Sequence, residues 1–451
     1  MQSLLKIIGD ISNWIWGIPM LIILVGGGVF LTVRLGFFQF IHFGYIMRQT
    51  FGKMFRKNVE GEGTVTPFQA ATSALASTVG ASNIVGVPVA IALGGPGAVL
   101  WMWITALIGS ASKFSEVVLG LKYREVNEEG NYVGGPMYYI EKGLGWKFLS
   151  TLFALFLMLE IIPSTMVQAN SVVGSAATLG ISPIVTGIIV TLLVALVVVG
   201  GIKRIGSVAE YMVPFMALFY IIGALVVILF NIRELPGAIV SIFKYAFTPA
   251  APVGGFAGAT IAGAMRWGIA RGVYSNEAGM GTAPMAHSAA TIDHPVRQGF
   301  WGVFEVVVDT LIICTTTALV VLTTGIWKNA DASKASSFPA LAFSSVFGYL
   351  GSSVVTVSVL LFVISTIIVI IYYGEKQAEY LFGLAFSKVM RYIYLAAIFV
   401  GSIGGLKILW QFLDILLAMI VIPNMISVVL LSKDVKKLLD EFFSNQELVN
   451  K

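Results

Sequence analysis

Of 451 residues, 57% are hydrophobic and 11% charged, against about 25% charged in a soluble domain; an ordinary soluble fold is excluded and an all-α polytopic membrane protein is indicated. The net charge of +5 then bears on topology, and no nucleic-acid partner is expected. The single cysteine, Cys314, lies in an apolar run, so no intramolecular disulfide can form.

Barrel strands need only about 10 alternating residues, whereas stretches of about 20 apolar residues recur here and give about eleven spans. The N-terminus MQSLLKIIGDISNW lacks a basic region and a cleavage site, so Ile15–Leu35 reads as an uncleaved first span. Pro67–Leu93, Ala98–Leu121, Leu149–Val173, Pro183–Gly200 and Val208–Phe230 follow. Then come Phe256–Ala290, Gly299–Gly325, Leu350–Tyr373, Tyr392–Gly404 and Ile408–Leu431. The tail, SKDVKKLLDEFFSNQELVNK, reads as an amphipathic helix anchored on the membrane surface.

Basic loop residues favour one side: Arg48, Lys53, Lys122, Arg124, Lys203, Arg204, Lys376, Lys388 and Lys436, against Arg233, Lys244 and Lys328 on the other. The rich side is expected to be cytoplasmic, which puts the N-terminus outside the plasma membrane and the C-terminus inside. The spans divide the chain into four parts. Residues 1–66 hold an extra N-terminal helix and a loop, 67–230 a first five-helix repeat, 231–431 a second, inverted one, and 432–451 a cytoplasmic tail. The repeat rests on topology, since the halves share no visible sequence similarity.

Each half opens with a span rich in small and polar residues. In Gly268–Ala290, GIARGVYSNEAGMGTAPMAHSAA, the middle is a poor helix. Gly279 and Gly281 lose extra backbone entropy, and Ser275 and Asn276 compete for backbone hydrogen bonds. Its counterpart is Ser73–Gly86, SALASTVGASNIVG. A broken backbone at membrane depth is tolerated only where it is buried in protein or lines a cavity. Paired interrupted segments in two halves point to a transporter site; the plainer alternative for the second is a loop outside the membrane.

Unwinding across Thr78, Val79, Gly80, Ala81, Ser82 and Asn83 would free amides for a carboxylate and carbonyls for an ammonium or Na⁺. The same small residues also suit a close helix–helix contact. Ser365 and Thr366 fall one turn after the carbonyl of Phe362, which makes half of an oxygen shell for a hard cation. Carbonyls near Ala76 and Val79 could complete it, unless both hydroxyls bond back to their own helix. Glu160, Ser164, Gln168, Ser171 and Ser175 form a polar stripe on one helix face, which fits a cavity wall or helix–helix hydrogen bonding. Glu277, Arg266, Arg271, Glu305, Asp309 and Asp414 are charges within spans, and each costs about 2.5 kcal/mol or more at mid-bilayer unless paired or hydrated. Arg271 with Glu277 or Asp309 is the expected internal pair, with a gate or proton relay as the other use. His42, His287 and His294 lack metal-ligand spacing. With no nucleophile–base pair, phosphate loop or cofactor motif in view, neither an enzyme nor a bound cofactor is expected.

Four stretches then carry a resemblance: FQAATSALASTVGASNIVG (Phe68–Gly86), GGPGAVLWMWITALIG (Gly94–Gly109), GGPMYY (Gly134–Tyr139) and RGVYSNEAGMGTAPMA (Arg271–Ala286). Over nearly its whole length the chain resembles the alanine or glycine:cation symporter family, the sodium:alanine symporters. These belong to the amino acid–polyamine–organocation superfamily. The resemblance implies a leucine-transporter-type 5+5 inverted repeat with two broken helices, the first reading Val79-Gly80-Ala81-Ser82-Asn83 here.

It further implies that a substrate carboxylate meets amides at Ala81 and Ser82. The ammonium would meet carbonyls near Thr78 and in the Ser275–Gly279 break, with Gln168, Met280 and Gly281 close by. Sodium would sit among the carbonyls of Ala76, Val79 and Phe362 and the hydroxyls of Ser365 and Thr366. Where many relatives carry Thr-Gly, this chain has Ala81-Ser82, and where they carry Phe it has Leu100, which bears on pocket size. The expected activity is Na⁺-coupled symport of alanine or glycine by alternating access. The alternatives are coupling to H⁺ through Glu277, Glu305 or Asp309, a larger substrate such as glutamine, or a channel or sensor without coupled transport.

Overall fold

A computed structural model describes residues 14–54, 60–177, 180–252, 256–329, 332–404 and 407–450. The side chain of Ser175, the last of the expected polar stripe, lies outside the described residues. Among the described residues the structure is mostly helical, with one short hairpin, Glu125–Val126 (β1) against Tyr132–Val133 (β2), and isolated bridges.

The helices that frame the site are these. Ile18–Arg34 is α1 and Phe43–Thr50 is α2. The first broken helix is Pro67–Thr78 (α3) plus Ser82–Gly94 (α4), which meet at a bend of 46°. Ala98–Lys122 is α5, Lys147–Ala177 α6, Pro183–Val198 α7 and Gly201–Phe230 α8. The second broken helix is Ile261–Asn276 (α9) plus Ala283–His287 (α10). Pro295–Thr323 is α11, Tyr349–Phe382 α12, Leu384–Ile403 α13, Lys407–Leu430 α14 and Ser432–Ser444 α15.

Local chemistry sets the starts of the broken helices. Thr66 caps α3 in a full capping box with Gln69, and Pro67 occupies the first turn, where its missing N–H costs nothing. Thr260 caps α9 by accepting from the Gly263 amide at 3.0 Å.

Seven helices among the described residues are long and apolar enough to cross a membrane, or eight if α3 and α4 count as one span. The expectation was about eleven. The apolar helices α1 and α7 are shorter than that criterion, and α9 stops at its break. Two helices run well past their expected limits. α12 continues beyond Tyr373 to Phe382, and α13 begins at Leu384 and not at Tyr392. The charges there are satisfied: Arg391 of α13 holds Glu375 of α12 with two bonds of 2.6 and 2.8 Å, and within α12 Lys376 meets Glu379 at 2.5 Å. Hydropathy counts these groups as span ends, whereas paired they extend the helices.

The helices sort into two packed groups. α5 packs along α9 and α11, with α3, α4 and α10 against them. α6, α12, α13, α7, α8 and α14 form the other group. α3 is the seam, resting on α8 and α12 of the second group. The tail helix α15 differs from its expected role as a lipid anchor. Val435, Leu439 and Phe442 are buried, and the helix packs on α5, α11, α1 and α14, so its apolar face is turned to protein.

Candidate functional site: a polar cavity between two broken helices

In the first break the Gly80 amide, which a continuing helix would give to the Ala76 carbonyl, goes to the Thr78 carbonyl at 2.9 Å and to Asn83 Oδ1 at 2.9 Å. Gly80 is required by closeness: an added Cβ would lie 2.7 Å from Thr366 Oγ1 on α12. In the second break the chain turns left-handed at Glu277 (φ 54°), Gly279 (φ 93°) and Gly281 (φ 77°). Only glycine takes such φ without strain. Glu277 is one of two non-glycine residues with positive φ among the described residues.

The second break is clasped from behind by buried polar groups. The Gly281 amide donates to Glu116 Oε1 at 3.0 Å, and Asn424 Nδ2 donates to the Gly279 carbonyl at 2.9 Å and to Glu116 Oε1 at 2.5 Å. Lys113, wholly buried on α5, donates to the Asn276 carbonyl at the end of α9 (3.1 Å) and faces Glu305 at 3.5 Å. Glu305 in turn contacts His287, which bonds Gln298 at 2.8 Å, and Gln298 reaches the Pro67 carbonyl at 3.1 Å. One chain of polar contacts thus ties the ends of both broken helices together.

Between the two groups lies a small cavity of about 40 Å³. Its walls are Ser77, Thr78, Gly80 and Ser82 from the first break, and Tyr274, Glu277, Met280 and Thr282 from the second. Glu160, Ile161, Ser164 and Gln168 come from α6, Thr366, Ile370 and Tyr373 from α12, and Leu417 and Ile420 from α14. Glu277 Oε2 accepts from Thr282 Oγ1 at 2.5 Å and Ser77 Oγ at 3.4 Å, and Ser77 also meets the Tyr373 hydroxyl at 3.2 Å.

Of the substrate residues named from sequence, Thr78, Gly80, Ser82, Gln168 and Met280 line this cavity. The others point elsewhere in this conformation. Val79 is buried, and its amide completes α3 through Leu75. Ala81 is half-buried and caps the turn Ser82–Gly86. Asn83, Ser275 and Asn276 join a buried polar knot: Asn83 Nδ2 to Asp309 Oδ1 (2.6 Å), Ser275 Oγ to Asp309 Oδ2 (2.8 Å) and Asn276 Nδ2 to Thr310 (3.1 Å). The Gly279 carbonyl and the Gly281 amide are spent on Asn424 and Glu116.

Of the sodium set, Thr366 lines the cavity, while Ala76, Val79, Phe362 and Ser365 lie buried beside it. The Ser365 and Thr366 hydroxyls both donate to the Phe362 carbonyl, at 2.8 and 2.9 Å. That places three of the five named groups on one turn, in the back-bonded form weighed as the alternative. Among the described residues no group of His, Cys, Asp or Glu has the arrangement of a metal site; a hard-cation shell of carbonyls and hydroxyls uses none of these side chains.

Arg271 forms neither expected pair. Its guanidinium lies over the Trp267 ring at 5.6 Å, and its Nε is buried without a hydrogen-bond partner. Asp309 is already met by Asn83, Ser275 and Thr310, and Glu277 by two hydroxyls. A wholly buried cation beside the break is Lys113, which sequence reasoning passed over. The signal was there, since Lys113 and Glu116 stand one turn apart inside the otherwise apolar run Ala98–Leu121. Tyr274, Tyr373, Ile370, Leu417 and Ile420 carried no comparable signal, because aromatic and branched residues at helical spacing read as core.

The chain matches the sodium:alanine symporter family over residues 1–451. It is 53% identical to the uncharacterized transporter YflA of Bacillus subtilis over 99% of this chain and 95% of that one. It is 40% identical to the sodium/alanine symporter AgcS of Methanococcus maripaludis, over 96% of this chain and 95% of that one. Its fold is similar to that of MhsT, crystallised with L-phenylalanine, with a TM-score of 0.63 at 13% identity, covering 84% of this chain and 95% of that one.

Proposed function

Because the chain belongs to the sodium:alanine symporter family, we propose that this multi-pass membrane protein is a secondary transporter that moves alanine or glycine together with Na⁺ by alternating access. The observation that carries the reading is the cavity itself: a small polar chamber walled by both broken helices and by α6, α12 and α14. Transporter sites of this kind sit where interrupted helices meet, and one helical group rocks against the other around them. Thr78, Gly80, Ser82, Gln168 and Met280 are the contacts we assign to substrate, with backbone groups of Val79, Ala81, Asn83 and the Ser275–Gly281 break becoming available as the cavity changes shape. Na⁺ is assigned to Thr366 and Ser365 with the carbonyls of Phe362, Ala76 and Val79. We assign residues 67–230 and 231–431 to two inverted repeats, with the N-terminus outside and the C-terminus cytoplasmic.

The deciding experiment is uptake of labelled alanine into proteoliposomes under an inward sodium gradient and with choline in place of sodium. Accumulation with sodium alone supports the symporter, and competition by glycine, serine and glutamine then ranks substrates. Equal accumulation in choline removes sodium coupling. Glu160 and Glu277 in the cavity wall favour one second reading, coupling to H⁺, and uptake that follows a pH gradient in choline would establish it. No accumulation of any of these amino acids would remove the transport reading.

A further inference from the structure

The cavity wall carries two carboxylates, Glu160 and Glu277, and no Lys, Arg or His. Glu160 comes from α6 and Glu277 from the break beyond α9, so the two face the cavity from the two different helical groups. Two like charges in a site largely shielded from water are unfavourable unless a cation or a proton lies between them. The fixed cation behind the break, Lys113, acts on Glu277 from outside the wall, but it is bonded to the Asn276 carbonyl, paired with Glu305 and absent from the cavity lining. The wall therefore asks for a positive charge from its ligand.

Glu277 is also placed for such a contact. It stands at a left-handed backbone position, φ 54° and ψ 20°, which costs a residue with a Cβ about 1–3 kcal/mol and turns up at functional sites more often than elsewhere. Thr282 donates to Oε2 at 2.5 Å, and Ser77, whose hydroxyl proton also has the Ala74 carbonyl at 2.8 Å, lies 3.4 Å from the same oxygen. They fix the carboxylate's orientation and leave Oε1 as the acceptor a ligand would meet. Glu160 has Ser164, one turn along α6, as its hydrogen-bond partner.

We propose that Glu277, with Glu160 across the cavity, receives the protonated amino group of the transported amino acid. This rests on the transport reading above and deepens it: the selected feature is an ammonium group, and the pair is the specificity determinant for it. A ligand that keeps the carboxylate and loses the amine would bring a third negative charge to the wall and be rejected. One that keeps the amine and loses the carboxylate would still meet the pair.

The test uses the full-length protein in proteoliposomes, with labelled alanine uptake under a sodium gradient. Propionate and ethylamine are the competitors, and E277Q, E160Q and E277D the variants. Propionate is expected not to compete where ethylamine does. E277Q is expected to raise the half-saturating alanine concentration by about 10- to 100-fold, the range for losing a charged hydrogen bond. Its half-saturating Na⁺ concentration should stay the same. E277D, which keeps the charge and suits a left-handed backbone, should recover part of the loss. Propionate competing as well as ethylamine overturns the proposal on the unaltered protein, whatever the variants' folding. So does alanine half-saturation within about twofold of wild type in both folded Gln variants, too small a change for a lost charged contact. Unaltered protein that takes up no alanine, glycine or glutamine overturns the transport reading and this one together. Uptake with propionate competing overturns this one alone.

Discussion

Gly80 has no room for even one methyl group. The Cβ of an alanine there would sit 2.7 Å from Thr366 Oγ1, while Thr366 Cβ and Cγ2 are both at 3.7 Å. Gly80→Ala should therefore push the first break away from α12 and abolish alanine uptake. The clash is with the hydroxyl alone, so adding Thr366→Ala should relieve it. A double-mutant cycle on protein melting temperature should show coupling between the two sites of about 0.5–3 kcal/mol. Thr366→Ala by itself removes one hydroxyl already bonded to the Phe362 carbonyl. It should leave folding largely intact and raise the sodium concentration needed for half-maximal uptake. An unchanged sodium requirement in that variant would remove Thr366 from the cation site. That the segment around Gly80 is a run of small residues suited to unwinding or a close helix contact was legible in the sequence. The need for glycine at 80 was not, because the hydroxyl that forbids a Cβ comes from a helix almost 300 residues away.

Among the elements, the second broken helix depends most on groups outside itself. α9 ends at Asn276, and its last carbonyl accepts from a buried ammonium on α5. A cation at a helix C-terminus is favoured by the helix dipole, and here it is also the partner of Glu305. Lys113→Met should unfold the protein more readily by about 3–5 kcal/mol, because Glu305 is left buried without its ion partner. Lys113→Met combined with Glu305→Gln should recover much of that, since a neutral amide can still bond His287; thermal unfolding of the purified variants would show it. A double variant no more stable than the single would mean that the Asn276 contact carries the effect. The sequence marked the break, through Ser275, Asn276, Gly279 and Gly281, since weak helix formers act locally. The groups that hold the break in shape, Lys113, Glu116 and Asn424, come from α5 and α14, and no local pattern announces a long-range partner. The stripe Glu160, Ser164, Gln168 could be read because helical spacing alone puts those residues on one face, and the structure sets all three in the cavity wall.

At the scale of the whole molecule, the C-terminal segment from α15 onward, together with α2, braces one face of the helical group that carries the broken helices. α15 is tied to the end of α5 by Asp434, which meets Lys122 at 2.8 Å and the Tyr123 hydroxyl at 2.7 Å. Its Phe442 packs edge-on against Phe300 of α11 at 5.5 Å and against Tyr45 of α2 at 6.5 Å. Farther on, the Val449 carbonyl accepts from Tyr45 at 2.9 Å and the Leu448 carbonyl from Arg297 at 3.0 Å. The partly exposed ion pair adds little, since surface pairs contribute about 0–1 kcal/mol; the buried aromatic contacts carry the attachment. Phe442→Ala should cost about 3–5 kcal/mol in stability, the usual loss for a buried aromatic, and Asp434→Asn under about 1 kcal/mol. Neither residue belongs to the cavity wall. Both variants should keep the alanine and sodium half-saturation of the wild type while Phe442→Ala melts at a lower temperature. A changed half-saturation in folded Phe442→Ala would instead mean that the brace takes part in setting the position of the broken helices, with α5 and α11 as the path between tail and cavity.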